Sequence, residues 1–335
     1  MRRTFSNATK AAHRMITKGR SNKMVWNRKP STALVVKKFD DPKVTRLSAD
    51  ISQWLTDQGI RVLVDCGKNA VDLENKYEVV RPTNTYTLID LVVCLGGDGT
   101  ILHANSILED HLTALKLPHL PPVVSFSMGS LGFLTPFSAP DWESTINRII
   151  KARCDDEAIP ISLRSRLMCR LQSSGEIKCV LNDVVIGRGV SPSLCKLICE
   201  VDDQAVAVFQ SDGLIVSTPS GSTAYSLSAG GTMIAPSVSC TLLTPIAPHS
   251  LSSRPVAIHH ESKIRVTIPQ SARSSAFLNY DGQAPMEELR IGDSLEIQEH
   301  PVALPLFTQH DFDHEWFQSL NTKLGWNTRV QQKPR

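Results

Sequence analysis

Ile89-Asp90-Leu91-Val92-Val93-Cys94-Leu95-Gly96-Gly97-Asp98-Gly99-Thr100-Ile101 is the stretch on which the reading of this chain turns. Ile89–Leu95 is mostly apolar and β-branched, as a buried strand would be, and Ile101–Leu108 is helix-like. Between them, three glycines let the backbone adopt positive φ and bring N–H groups close to a ligand. The helix start adds the positive end of its dipole, so Gly96, Gly97, Gly99 and Thr100 read together as a phosphate cradle. A carboxylate is out of place there if anion binding is the only task. Asp98 therefore has two readings: it holds a divalent cation between phosphates, or it takes a proton from an attacking hydroxyl. A plain glycine turn at a strand end is the structural alternative. His103, one turn into the helix, is within reach of whatever the loop holds.

Outward from this centre, Ala33–Val36, Ile60–Val64 and Pro122–Phe126 are further short strands. Leu47–Leu55 has helical spacing, as does the stripe Trp142, Ile146, Ile149 and Ile150, whose helix starts near Pro140. Strands alternating with helices predict an α/β N-terminal domain with a mainly parallel sheet. After about Cys154 the texture changes. Residues 163–172, 177–186, 194–201, 206–209, 214–217, 262–268, 276–280 and 294–298 are strand-like runs separated by Gly, Asp, Ser and Pro turns. A helical pattern interrupts them only around Ala224–Ile234, so a β-rich C-terminal domain is expected. Trp316, Phe317, Leu320 and Leu324 then recur at the spacing of a last amphipathic helix.

A length of 335 residues suits two domains or one large one, and 41% hydrophobic with 21% charged residues excludes a disordered chain. No apolar run approaches the roughly 20 residues of a membrane span. Eight cysteines at no metal-ligand spacing, without a secretory h-region, point to free thiols in a reducing compartment. The net charge of +3 hides an asymmetry: eleven Lys and Arg and no acid precede Asp40, leaving 25 basic against 33 acidic residues beyond it. That acidic remainder argues against a nucleic-acid partner. Residues 1–29 read as a basic, disordered arm. Phe5, Ala8, Ala12, Met15 and Ile16 among the Arg and Lys also give it the amphipathic pattern of a mitochondrial presequence.

Two more segments carry chemistry. In Asp212-Gly213 through Gly230-Gly231, a strand runs into the hydroxyl-rich turn Thr218-Pro219-Ser220-Gly221-Ser222-Thr223 and then a small-residue helix. Hydroxyls and N–H groups there suit phosphate or ribose; the structural alternative is an ordinary N-capped helix. Asn182-Asp183 heads a β-branched strand, where carboxamide and carboxylate are partners for a nucleoside, although Asn-Asp is also a common turn. Asn279-Tyr280-Asp281-Gly282-Gln283 reads first as a hairpin turn. Cys195 and Cys199 share one face of a strand and are better buried thiols than metal ligands, and His259-His260 is a surface pair. The chain lacks Gly-x4-Gly-Lys-Ser/Thr, Gly-x-Gly-x-x-Gly and Gly-x-Ser-x-Gly, which argues against P-loop, Rossmann dehydrogenase and α/β-hydrolase chemistry.

Taken together, the segments resemble the NAD kinase family from about Trp26 to Arg329. They are Gly96–Thr100, Asn182-Asp183, Asp212–Gly231 and Thr244-Pro245-Ile246-Ala247-Pro248-His249-Ser250-Leu251. The glycine string alone is shared with lipid kinases. Trp26-Asn27, Ser130–Phe137 and Trp316-Phe317 suggest the eukaryotic branch. The resemblance implies four segments: an arm at 1–29, an α/β domain at 30–155, a β-rich NAD-binding domain at 156–300, and residues 301–335 returning to the first domain. It implies that Asp98 accepts the proton of the adenosine ribose 2′-hydroxyl, with Gly99 and His103 beside it. By the same resemblance Asn182, Asp183, Gln210, Asp212, Thr223, Ala224, Tyr225, Ser226, Leu227, Ser228, Ala247 and Gln283 bind the dinucleotide. Many relatives have Asn-Glu where this chain has Asn182-Asp183. The implied activity is transfer of the ATP γ-phosphate to NAD, giving NADP, with Mg²⁺ or another divalent cation. No residue is assigned as a metal ligand. A cytoplasmic homo-oligomer, dimer or tetramer, without nucleic-acid or membrane partner is expected, with the mitochondrial matrix as the other compartment. The rival functions are a lipid kinase acting on diacylglycerol or sphingosine, and a non-catalytic dinucleotide sensor.

Overall fold

Short β-branched runs pair side by side in a computed structural model that describes residues 12–18, 21–65, 77–79, 88–129, 131–311 and 313–327. Two units result, one from Met1–Ala104, Pro121–Leu163 and Pro305–Arg335, the other from Asn105–Leu120 and Arg164–Leu304.

The first unit is built on a ten-stranded sheet. Its strands are His13–Lys18 (β1), Ser21–Trp26 (β2), Thr32–Lys37 (β3), Arg61–Asp65 (β4), Glu78–Val79 (β5) and Leu91–Leu95 (β6). Val123–Ser127 (β7), Phe137–Ser138 (β8), Ile159–Arg164 (β9) and the distant Leu304–Phe307 complete it. The order runs β1-β2-β9, then Leu304–Phe307, then β7-β6-β3-β4-β5, with β8 on β7. From Leu304–Phe307 to β5 the pairing is parallel. β6 and β7 are buried along their whole length, which requires cover on both faces. Val44, Ile51 and Leu55 of helix Pro42–Asp57 (α1) and Ile146, Ile149 and Ile150 of Trp142–Lys151 belong to one core with Val35, Val64, Val93, Leu95 and Phe126. Asp41 caps α1 by accepting from the Lys43 and Val44 N–H groups, ahead of Pro42 in the first turn. Asp98–Leu115 (α2) follows β6, Trp142–Lys151 is α3, and Tyr225–Ser228 (α4) and His314–Leu324 (α5) come later.

The basic arm needs correction. Residues 13–18 and 21–26 are not disordered but form an antiparallel hairpin, whose β2 pairs with β9 through Asn22↔Ile161 and Met24↔Ile159. Burial of Met24, Val25 and Trp26, whose indole N–H donates to Ile149 O at 2.8 Å, fixes it there. The helical spacing of Ala12, Met15 and Ile16 is therefore not used, and Phe5 and Ala8 lie outside the described residues.

In the second unit Leu167–Leu171 (β10), Ile177–Val180 (β11), Asp183–Gly187 (β12), Cys195–Val201 (β13), Gln204–Ser211 (β14) and Gly213–Ser217 (β15) come first. Cys240–Ile246 (β16), Val256–His259 (β17), Ile264–Thr267 (β18), Ala276–Tyr280 (β19), Gln283–Leu289 (β20) and Ser294–Glu299 (β21) follow; Leu304–Phe307 is thus β22. They form two antiparallel sheets, β11-β10-β21-β18-β13-β14 and β17-β16-β15-β12-β19-β20. Leu197, Cys199 and Ile297 from one share a core with Val184, Ile186, Val216 and Leu278 from the other, as in a sandwich. The runs 163–172 and 177–186 each break into two strands, at Ser165-Arg166 and Leu181-Asn182. The helix expected over 224–234 shrinks to α4, because Gly230 turns the chain at φ +86° and Gly231 packs against Ser226 with no room for a Cβ. β16 adds a strand that the sequence analysis did not assign, and carries Pro245 within it, opposite Leu214 of β15. Among the described residues, no helix is long and apolar enough to cross a membrane.

Candidate functional site

In the first unit β3 is followed by β4 on one side and β6 on the other, so the strand order reverses between β3 and β6. In open parallel sheets that point, at the carboxyl ends of the strands, is where ligands settle. Gly96 leaves β6 there, its N–H donating to Phe126 O at 3.0 Å while the Lys38 N–H donates to Leu95 O at 2.8 Å. The three glycines do different jobs. Gly96 has φ +153°, and a Cβ on it would lie 2.3 Å from Thr100 Oγ1, so the fold itself demands glycine. At Gly97 and Gly99 a Cβ would meet nothing within 4 Å, and neither takes a positive φ. Asp98, Gly99 and Thr100 already form the first turn of α2, so the loop is shorter than the sequence suggested.

Asp98 is held by a segment the sequence reading gave no chemical role. Its Oδ2 accepts the Phe133 N–H at 3.1 Å, and its Oδ1 accepts the Leu134 N–H at 3.1 Å with Thr135 Oγ1 at 3.5 Å. Gly132 makes this approach possible, since a Cβ there would lie 2.0 Å from Asp98 Oδ1. Two braces hold that segment. Ser319 of α5 donates to Gly132 O at 3.2 Å, and Lys323 lies 5.6 Å from the Phe133 ring centre. His103 is oriented by Asp65, at the end of β4, with Nε2 and Oδ2 2.6 Å apart, and meets the Phe39 ring edge-on. Asp65 was missed because nothing local marks it.

In the second unit, Asn182 lies in the link between β11 and β12 and Asp183 opens β12, beside the turn after β15. The Thr218 N–H donates to Asn182 O at 2.9 Å, and Thr218 Oγ1 donates to Leu181 O at 2.6 Å. Gly221 packs so closely that a Cβ would come within 2.1 Å of Asn182 O. Asn182 Oδ1 is buried and meets no donor among the described residues. Burial, then the charge of nearby Asp281, pushes the Asp183 carboxyl up to about 7. Tyr225 and Ser228 of α4 are exposed, whereas the Ser226 hydroxyl is buried against Thr244 Oγ1 at 2.8 Å. Thr223 Oγ1 donates to Ser220 O, and Ala224 and Leu227 are half-buried. Gln283, exposed, opens β20 and accepts from Asn279 Nδ2 at 2.9 Å.

Gln210, Asp212 and Ala247 are not brought to that cluster. Asp183 pairs with Ser217 at one end of β15, while Gly213, next to Asp212, pairs with Gly187 at the other. The five residues of β15 put roughly 13 Å between its two ends, and roughly 17 Å between Ser217 and Asp212. There Asp212 forms an ion pair with Arg188 at 2.9 Å, Gln210 O accepts the His249 N–H at 2.8 Å, and Ala247 takes φ +42°.

One other polar cluster sits within the second unit. Fully buried Arg166 donates to Glu109 at 2.7 Å, Asn105 Oδ1 at 3.3 Å, Val302 O at 2.8 Å and His300 Nδ1 at 2.9 Å. Burial opposes ionisation of Glu109, but hydrogen bonds from His300 and Arg166 and their charge overcome it and bring its carboxyl down to about 2. Glu109, Cys179 and His300 converge closely enough for a metal, yet His300 Nδ1 accepts the Val302 N–H and the guanidinium repels a cation. This is an ion-pair knot, not a metal centre.

A glycine loop at the switch point of a parallel sheet, with a unit of antiparallel sheets inserted downstream, defines a two-part protein of nucleotide-kinase architecture. Residues 33–154 match the ATP-NAD kinase N-terminal domain and residues 181–305 the ATP-NAD kinase C-terminal domain. An NAD kinase from Geotalea daltonii is 34% identical over 295 residues, covering 87% of this chain and 97% of its own length. NAD kinase 2, chloroplastic, of Arabidopsis thaliana is 36% identical over 92% of this chain, which spans only 32% of that relative. The yeast NADH kinase crystallised with NADH superposes with a TM-score of 0.84 at 27% identity, covering 97% of this chain and 96% of its own. An Archaeoglobus fulgidus NAD kinase in complex with ATP gives 0.64 at 25% identity, covering 87% and 98%. The chain belongs to the NAD kinase family.

Proposed function

We propose that this chain is an ATP-dependent kinase that phosphorylates the 2′-hydroxyl of the adenosine ribose of NAD or NADH. The observation that carries the reading is Asp98: a carboxylate in the first turn of the glycine-loop helix, aimed by two backbone N–H groups. Each oxygen that accepts an N–H keeps a further lone pair. With it Asp98 takes the proton of a sugar hydroxyl as the bond to phosphorus forms. Glycine at 97 and 99, where the fold does not require it, leaves room for a phosphate to reach the backbone N–H groups. Asn182, Asp183, the Thr218–Thr223 turn and Gln283 receive the dinucleotide, the unpartnered Asn182 Oδ1 awaiting an N–H or O–H donor. Gln210, Asp212 and Ala247 contribute to the same surface only if something bridges the length of β15.

The loop offers a divalent cation a single carboxylate, already accepting N–H groups, which fits Mg²⁺ carried in on the triphosphate rather than held by a protein cage. Bound there, the cation neutralises charge on the transferring phosphoryl group. A lipid kinase would account for the glycine loop alone, while the match over residues 181–305 lies outside it. A sensor has no use for a carboxylate in a phosphate cradle. On the same resemblance we place the protein in the cytosol as a homo-oligomer, with the mitochondrial matrix as alternative. The test is NADP or NADPH formation by the purified protein from ATP, Mg²⁺ and either NAD or NADH. No product from either acceptor ends this reading.

A further inference from the structure

Asp281 is easily dismissed as a turn residue. With Gly282 it makes the two-residue connection between β19 and β20, both in the left-handed region at φ +50° and +70°. Asparagine fills that role equally well. What the turn does not call for is the destination of the carboxylate. Its Oδ2 accepts the Leu181 N–H at 2.8 Å, and its Oδ1 accepts those of Asn182 at 2.7 Å and Asp183 at 3.1 Å. The Asp281 N–H in turn donates to Asp183 O at 2.9 Å. Three consecutive N–H groups, from residues far upstream, converge on one side chain.

The opposite edge of the same segment is closed by Thr218 and by the tight approach of Gly221. Asn182 is thus gripped along its backbone while its Oδ1 stays without a donor. A segment fixed at the main chain and left open at one side-chain acceptor is built to present that acceptor.

We infer that Asp281 is the positioning residue for Asn182 and Asp183, holding their backbone so that the carboxamide and carboxyl meet the dinucleotide; this rests on the function proposed above. Electrostatics supports the same geometry. Burial raises the Asp281 carboxyl to about 6 against the pull of the three N–H groups and the charge of Arg166. Asp183 faces the Asp281 charge, and the thiols of Cys169 and Cys179 feel it as well.

The experiment compares Asp281→Asn and Asp281→Ala with wild type. NADH binding is read by fluorescence titration from pH 5.5 to 8.5, beside steady-state turnover. Asparagine preserves the turn but sets an NH₂ group against N–H donors. Dissociation constants and KM for NADH are expected to rise about tenfold for asparagine and more for alanine. The kcat stays within about threefold, because Asp98 is untouched. In Asp281→Asn the pH midpoint of binding also moves down, since the charge that helps hold Asp183 protonated is gone. A fall in thermal stability with unchanged affinity and pH midpoint makes Asp281 a turn residue only and overturns the inference. Wild type that binds NADH but forms no NADPH sinks the proposed activity, while the role of Asp281 is still decided by the affinities. Wild type that binds no NADH overturns both.

Discussion

Changing Asp98 to asparagine alters one heavy atom and separates two jobs of the same side chain. The carboxylate now accepts from Phe133 N–H, Leu134 N–H and, at the limit of distance, Thr135 Oγ1. An asparagine has one carbonyl oxygen, and either orientation turns its NH₂ toward a backbone N–H. The loss of one charge-assisted hydrogen bond costs about 1.5–3 kcal/mol. Bonds that do not involve the side chain, from Gly96 N–H to Phe126 O and from Gly132 N–H to Thr135 Oγ1, keep the loop in place. Unfolding is therefore expected a few degrees lower, with the fold intact. The chemical step suffers far more. A general base contributes about 10²–10⁴ in rate, or roughly 2.7–5.5 kcal/mol of barrier. The assay is steady-state formation of NADPH from saturating NADH and ATP, with NADH affinity measured separately by fluorescence. We expect kcat to fall by about two to four decades while the dissociation constant stays within about threefold. Turnover within fivefold of wild type, or a loss matched by weaker binding, refutes the assignment of Asp98 as proton acceptor.

Gly99→Ala separates fold from function in the opposite sense. A Cβ there meets nothing and the position is helical, so stability rises by up to about 1 kcal/mol while KM for ATP increases, both readable from one preparation. Loss of activity through destabilisation would contradict it. Gly221→Ala drives a Cβ toward the Asn182 carbonyl, 2.1 Å away, and is expected to weaken NADH binding about tenfold or more; calorimetry that finds native affinity shows the turn can yield. Arg166→Met leaves Glu109 without its cation in a buried setting and costs about 3–5 kcal/mol, a fall in melting temperature of roughly 6–20 °C. Glu109 titrates lower in the folded state than unfolded, so its contribution is complete above about pH 4.5 and is lost as pH falls toward about 2. Acid unfolding followed by circular dichroism should therefore begin at higher pH in Arg166→Met, and coincident acid midpoints would exclude the knot as its cause.

The parallel sheet was legible because β3, β6 and β7 are short β-branched runs buried on both faces, a pattern with few other solutions. The glycine loop was legible because backbone conformation and ligand approach both select glycine. What holds Asp98 was not, since the donors are main-chain N–H groups of Phe133 and Leu134, which every residue but proline carries. Asp281 was hidden for a different reason: Asp-Gly already had a sufficient local explanation as a turn. The β1–β2 hairpin was obscured by charge, its buried Met24, Val25 and Trp26 lying in a basic arm and paired with β9 more than 130 positions away. Arg166, Glu109 and His300 meet only through tertiary structure, and nothing in the spacing announces them.

β22 lies between β9 and β7, so the large sheet contains a piece made long after its neighbours. At translation speeds of about 5–20 residues per second, Leu304 leaves the ribosome roughly 9–35 s after Ser127. The β7 edge waits bare throughout that interval and the β9 edge for roughly 7–28 s of it, a nascent-chain hazard of the kind that chaperones shield. Birth order thus runs against spatial order: the inserted sandwich can mature first, and the large, mainly parallel sheet is completed last.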